Sequence, residues 1–225
     1  MTYVAVDHLV VGAASLEQGV AWCEVTLGVT PGPGGQHPLM GTHNRLLKIS
    51  GEHYPQAYLE IIAIDPAAPP PGRPRWFGLD EVDLSAGPRL LHWVGRSPML
   101  DMHRWGLITV GQPPGDPVKA GRDTPQGRLE WQILLRPDGR PLCGGALPTL
   151  LQWGAVHPTD HMPDSGVTLQ RLGLGGLPAK VREVLRLRQV DDLVADSAVP
   201  PPALRATLQT PRGPVTLESR TGTTA

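Results

Sequence analysis

Two strand-like stretches of this chain each carry one histidine among apolar neighbours. They are Val4-Ala-Val-Asp-His-Leu-Val-Val11 and Arg89-Leu-Leu-His-Trp-Val-Gly-Arg96. Each is followed by a helical stretch and then by further strands. The first unit closes at Ala57-Tyr-Leu-Glu-Ile-Ile-Ala-Ile64 and the second at Leu147-Pro-Thr-Leu-Leu-Gln-Trp153. Side by side, His8 falls opposite His92 and Glu60 opposite Gln152, with similar internal spacings. A loose repeat of this kind constrains the fold more than any other feature of the chain. Alternate residues of a strand share a face. Val4, Val6, His8 and Val10 therefore form one set, and Tyr58, Glu60 and Ile62 another.

Between these strands, Leu16, Val20, Ala21 and Leu27 give a helical stripe over Leu16 to Leu27, with Gly28 as its C-cap. A Gly/Pro-rich loop leads to a strand over Gly41 to Ile49. It holds His37, His43 and Asn44, which either line a pocket or sit in a solvated turn. The run Pro66-Ala-Ala-Pro-Pro-Pro-Gly-Arg-Pro74 suits neither a helix nor a central strand and reads as a linker. A connecting segment follows, up to about Gly87. In the second unit, Ser97 is the expected N-cap and Pro98 the first helical residue. Strands are expected at 118–121 and 127–135. A third, shorter unit runs from Ser165 to Glu218, with a strand, a helix after Pro178 and a hairpin. Gln170 and Glu218 stand there in the places of His8 and Glu60. Residues 219–225 are expected to fray.

Net charge is −1, with no long block of either sign, which argues against nucleic acid or a polybasic membrane surface as partner. No apolar run reaches the ~18 residues of a membrane span. No secretory signal is visible at the N-terminus. Cys23 and Cys143 have no CxxC spacing and are expected to be reduced in a cytoplasmic protein. The glycines of Gly173-Leu-Gly-Gly176 do not form a dinucleotide-binding frame.

The stretches Val6-Asp-His-Leu-Val, Gly41-Thr-His-Asn, Tyr58-Leu-Glu-Ile, Leu129-Glu-Trp-Gln and Leu151-Gln-Trp resemble the glyoxalase-like branch of the vicinal oxygen chelate superfamily. The resemblance implies an α+β fold of repeated βαβββ modules, at residues 1–66 and 88–154. Residues 67–87 would connect the modules. Together they would form a curved mixed sheet of eight strands, a deep cup, with the shorter third unit at 165–219. It also implies a divalent metal held by His8, Glu60, His92 and Gln152. The departures are Gln152, where a carboxylate is more usual, and the third unit. This branch has no single activity to transfer.

Two imidazoles, a carboxylate and an amide oxygen suit Zn, Ni, Co, Mn or Fe better than Ca. Open positions on such a metal would take the adjacent oxygens of a substrate. The plainer reading of His8 and of His92 is a core histidine bonded to backbone. Glu60 and the mobile His43 are the candidate acid/base groups. His37, Asn44, Tyr58 and Glu130 are the candidates for holding substrate, Glu130 facing either the cup or solvent. Trp93 and Trp153, on the faces opposite His92 and Gln152, are expected to pack against helices. Asp160 and His161 read as loop residues. Two functions are in view. One is a metal-dependent enzyme acting on a small molecule with vicinal oxygens, by isomerisation, addition–elimination or ring opening. The other is a non-catalytic module that binds or sequesters a small molecule. The third unit either completes the sheet or serves a homodimer contact.

Overall fold

The computed structural model describes residues 2–125, 127–194 and 201–219. Of residues 219–225, expected to fray, Ser219 is instead buried, its Oγ accepting the Leu204 N–H at 2.9 Å, and 220–225 lie outside that range. The first unit comprises β1 (Ala5–Gly12), α1 (Leu16–Leu27), β2 (Gln36–His37), β3 (Thr42–Lys48) and β4 (Tyr58–Ile64). The second comprises β5 (Arg89–Arg96), α2 (Leu100–Thr109), β6 (Asp116–Thr124), β7 (Gly127–Leu135) and β8 (Thr149–Trp153). All eight strands form one mixed sheet in the order β2-β3-β4-β1-β5-β8-β7-β6. In each unit the first strand runs parallel to the last, as β1 with β4 and β5 with β8. A parallel neighbour needs a crossover, and α1 and α2 lie in these crossovers. The units join where β1 and β5 pair antiparallel.

The sheet curls. Its concave side gathers Val10, Ile62, Val94, Ile133 and Leu151. Its convex side gathers Leu9, Val11, Leu59, Ile61 and Trp93 against Cys23 and Leu27 of α1. Local signals place α1 as the sequence implied. Ser15 Oγ accepts the Gln18 N–H at 3.2 Å, and Gly28 closes the helix at φ 77°, a left-handed conformation that suits glycine. Helix α2 starts later than Pro98. Its N-cap is Met99, whose N–H donates to Ser97 Oγ at 3.1 Å.

The third segment forms a separate sheet of β9 (Thr168–Leu174), β10 (Asp191–Asp192), β11 (Leu204–Thr210) and β12 (Gly213–Glu218), with α3 (Ala179–Leu185) after β9. The element order matches the other units, but the pairing differs. Here β9 pairs antiparallel with β11, and β12 lies at an edge. Leu169, Leu172, Leu204 and Leu208 pack into the convex-side core. Gln170 is exposed, and Glu218 pairs with Arg205, so neither reaches the cup. The connecting segment also does more than join two units. At its Trp76–Gly78 turn, Phe77 takes φ 61°, and the Trp76 and Phe77 rings stack 5.5 Å apart within the concave-side cluster.

Cys23 and Cys143 are free. Burial pushes the Cys23 thiol up to about 12, so it is inert at neutral pH. Among the described residues, no helix is long and apolar enough to cross a membrane.

Candidate functional site

His8 lies at the floor of the cup. Its Nδ1 stands 2.7 Å from Asp7 Oδ1 and its Nε2 3.5 Å from Glu60 Oε2. The Tyr58 ring stacks on it at 4.4 Å, because β1 and β4 set His8 opposite Tyr58. Glu60 Oε1 accepts the Asn44 amide at 2.6 Å. Asn44 is held in turn by the Gly35 N–H, which donates to its Oδ1 at 2.7 Å. The remaining Asn44 N–H faces His37 Nε2 at 3.3 Å, so that nitrogen accepts. The other ring nitrogen then carries the proton and donates to Thr42 Oγ1 at 3.1 Å. The glycines of this loop are needed for the approach. A Cβ at Gly34 would come within 2.1 Å of the Asn44 carbonyl oxygen.

Burial alone would lower the His8 pKa. Hydrogen bonds to Asp7 and Glu60, and their charges, raise it to about 9. Burial alone would raise Glu60, but the His8 hydrogen bond and charge hold it below the usual range. Burial pushes His37 down to about 4. At neutral pH the floor therefore holds an imidazolium between two carboxylates, with a neutral imidazole beside Glu60.

A small cavity of about 40 Å³ sits over this pair, walled by Trp76, Arg122, Trp131 and Trp153. An outer groove of about 780 Å³ shares Leu46, Arg122 and Pro158 with it. The small cavity has aromatic walls and few polar groups, and the outer groove it opens beside has the size of a small-molecule site.

The structure brings His8, His37, Asn44, Tyr58 and Glu60 together and leaves four other candidates out. Gln152 is exposed, on the face of β8 opposite Leu151, and its Oε1 accepts the Leu100 N–H at the start of α2. Trp153 takes the cup-facing place instead, 5.4 Å from Trp131, and does not pack under a helix as expected. His92 is buried on the concave side, but its Nε2 accepts the Thr149 N–H at 3.0 Å and Phe77 covers it at 5.4 Å. Burial pushes it down to about 3, so it is a neutral core histidine bonded to backbone. Glu130 is exposed and pairs with Arg128. His43 alternates with Thr42 and Asn44, so it points away from the cavity, 4.0 Å from Asp65. Trp93 is buried on the convex side, where its Nε1 donates to the Ala146 carbonyl at 3.0 Å.

A divalent metal at the expected place needs His8, Glu60, His92 and Gln152 to converge. Only His8 and Glu60 do. Among the described residues, no group of three or more His, Cys, Asp or Glu side chains is arranged to hold a metal ion. The donor set does not fit the four-donor centre.

Sequence reasoning missed Asp7, His157 and Arg122. His157 Nδ1 accepts the Thr159 N–H, which leaves Nε2 to donate to Asp7 Oδ2 at 3.1 Å. Trp153 Nε1 donates to the same oxygen at 2.9 Å. Three N–H donors thus meet one buried carboxylate. Burial would raise Asp7, yet the bonds from His157 and His8 hold it well below the usual range. The adjacency Asp7-His8 was the only signal for this in the sequence.

The sequence profile of a family described as a glyoxalase-like domain matches residues 6–186. The chain belongs to the glyoxalase-like domain family. It is thereby a member of the vicinal oxygen chelate superfamily, and the two-module curled sheet is the architecture expected of it. Among solved structures, a Streptomyces coelicolor methylmalonyl-CoA epimerase in complex with 2-nitronate-propionyl-CoA is 16% identical, with a TM-score of 0.46. That match covers 69% of this chain and 99% of that one. A methylmalonyl-CoA epimerase from Mycobacterium tuberculosis is 17% identical, with a TM-score of 0.40, covering 72% of this chain and 95% of that one. No activity transfers at that level of likeness.

Proposed function

We propose that this glyoxalase-like protein binds a small molecule with vicinal oxygens in the cup and moves a proton on it, as an isomerase does. Glu60 is the base, and His8 is the fixed cation that steadies the anion formed. The observation that carries this reading is the buried His8–Glu60 contact, 3.5 Å long, at the floor of an aromatic cavity.

That contact is long for a charged hydrogen bond, so a ligand oxygen can take the His8 Nε2–H for itself. Glu60 then keeps the Asn44 bond but loses its bond to the cation, and its basicity rises. It can remove a proton from the carbon beside the carbonyl. The electron pair moves to the carbonyl oxygen, which is held as an enolate by the His8 N–H. In a 2-hydroxy ketone Glu60 returns the proton to the neighbouring carbon, the former carbonyl carbon, while the hydroxyl proton passes to the enolate oxygen, so that carbonyl and hydroxyl exchange places. A preorganised cation in a dry cavity stabilises such an oxyanion far better than water does. No step is assigned to a metal.

The test is proton–deuterium exchange, followed by NMR, across a panel of 2-hydroxy ketones and 2-oxo acids. Exchange at the carbon beside the carbonyl, lost in Glu60→Gln, is the expected result. Binding in the cup with no exchange on any compound of the panel overturns the proton-transfer reading. That outcome favours the second reading, a binding module, which one observation supports: both Glu60 oxygens already have partners within the protein.

A further inference from the structure

We infer that the ligand of the cup carries an oxyanion, a carboxylate or a phosphate, and that Arg122 is its anchor. This rests on the reading that the cup binds a small molecule, and it adds the substrate class.

Around the cavity every charged side chain but one has a partner in contact with it. Asp7 is matched by His8, His157 and Trp153. Glu60 is matched by His8 and Asn44. His8 has both carboxylates. Arg122 lies in the wall shared by the small cavity and the outer groove. Its Nη1 is buried and has no hydrogen-bond partner. Among the described residues, no carboxylate forms an ion pair with it. Its sequence neighbour Asp123 is paired with Arg128 at 3.0 Å. Arg122 as a whole is half-buried, but a guanidinium nitrogen withdrawn from water without a partner is costly, and a bound anion that accepts from it removes that cost.

The surroundings are shaped around this side chain. A Cβ at Gly35 would come within 2.1 Å of Arg122 Nη1 and 3.0 Å of its Cζ, so the bare backbone there makes room for the guanidinium. The Arg122 charge is felt at both His37 and Tyr58, two residues of the cavity floor. The planar fork of an arginine matches the two oxygens of a carboxylate or phosphate. Arg122 and His8 border the same cavity of about 40 Å³. A ligand that meets both therefore holds its anion within a few bonds of its reacting oxygens. The 2-oxo and 2-hydroxy acids have that form. A phosphate would instead reach Arg122 from the outer groove.

The test is thermal unfolding of the full-length protein with pyruvate, lactate, 2-oxoglutarate and inorganic phosphate, and with pyruvamide as the neutral match for pyruvate. The proteins compared are wild type, Arg122→Met, Arg122→Lys and Gln152→Ala. At least one anion is expected to raise the midpoint of wild type by roughly 5 °C or more at ~100 times its Kd, with pyruvamide inactive. Arg122→Met should lose that rise, Arg122→Lys should keep part of it and Gln152→Ala should keep it. Pyruvate against phosphate separates the two oxyanion classes. No rise with any anion, or an equal rise in Arg122→Met, overturns the anchor. Exchange chemistry on a neutral compound, unchanged in Arg122→Met, sinks the anchor and leaves the proton-transfer reading standing. Anion binding through Arg122 with no exchange on any compound does the reverse.

Discussion

Asp7 and His8 are neighbours on one strand, yet their side chains meet, with Oδ1 of Asp7 2.7 Å from Nδ1 of His8. Regular alternation would send them to opposite faces of the sheet. The register of β1 against β5 shifts between Val6 and His8, so Asp7 is the extra residue of a β-bulge. A bulge re-aims the side chain it carries. Here it puts a fully buried carboxylate beside the imidazole, and His157 and Trp153 complete the shell around it.

Asp7→Asn removes the charge and keeps the shape. The His8 pKa is expected to fall from about 9 toward the ordinary 6.5, since Glu60 alone remains to hold the proton. Stability should drop by about 3 kcal/mol, the scale for breaking a buried charged contact. Imidazole titration by NMR and urea unfolding read the two effects. A His8 titration unmoved by the change would show that Asp7 does not govern it.

Stability should also depend on pH through His8. Its folded pKa is raised from 6.5 to about 9, so its contribution is complete below 6.5 and lost as pH rises through about 9. The folded protein holds the extra proton across that window, and about 3 kcal/mol is expected to disappear over it. Glu60 acts on the acid side. Its pKa is lowered, so its contribution is present above 4.5 and lost as pH falls below it. Denaturant midpoints measured from pH 4 to pH 10 should slope downward in the upper window, and His8→Gln should flatten that slope.

Glu60→Gln is expected to lower turnover by about 10²–10⁴-fold, the usual contribution of a general base. The His8 pKa should fall with it, because one of its two carboxylates is gone. Retained turnover in this variant would remove Glu60 from the mechanism.

Gln152→Ala and His43→Ala are controls that separate the cup from the rest of the sheet. Gln152 accepts the Leu100 N–H at the head of α2, so its loss should cost about 0.5–2 kcal/mol, as for an N-cap, with ligand binding unchanged. His43 faces away from the cavity and should behave likewise toward ligand. Loss of binding in either variant would contradict the strand faces described above.

Gly34→Ala tests the loop. Its Cβ would meet the Asn44 carbonyl oxygen at 2.1 Å and the amide oxygen at 2.2 Å. Asn44 must then shift, and its 2.6 Å bond to Glu60 should lengthen or break. The expected cost is about 1–3 kcal/mol, as for forced overpacking. Binding should weaken too, both read by unfolding and by titration with the ligands above. Unchanged stability and binding would mean that the loop gives way elsewhere.

Much of the frame follows from local chemistry that the sequence states outright. Ser15 and Gly28 bound α1, apolar alternation marks the strands, and the repeat of His-bearing strands implies two modules. His8, Tyr58 and Glu60 meet because their strands pair, and their shared polarity amid apolar neighbours pointed there. Alternation says which residues share a face but not which face is concave. That choice decided between Gln152 and Trp153 on β8 and between His43 and Asn44 on β3. Only the tertiary structure made it, through the curl of the sheet and the bulks packed on each side. The bulge at Asp7, the Trp76–Phe77 turn closing over the cup and the approach of Arg122 to Gly35 all join residues far apart along the chain or break its regular period. No local pattern encodes such contacts. They arise when two modules are closed on one another, and they determine which of the chain's eight histidines remains charged at the floor of the cup.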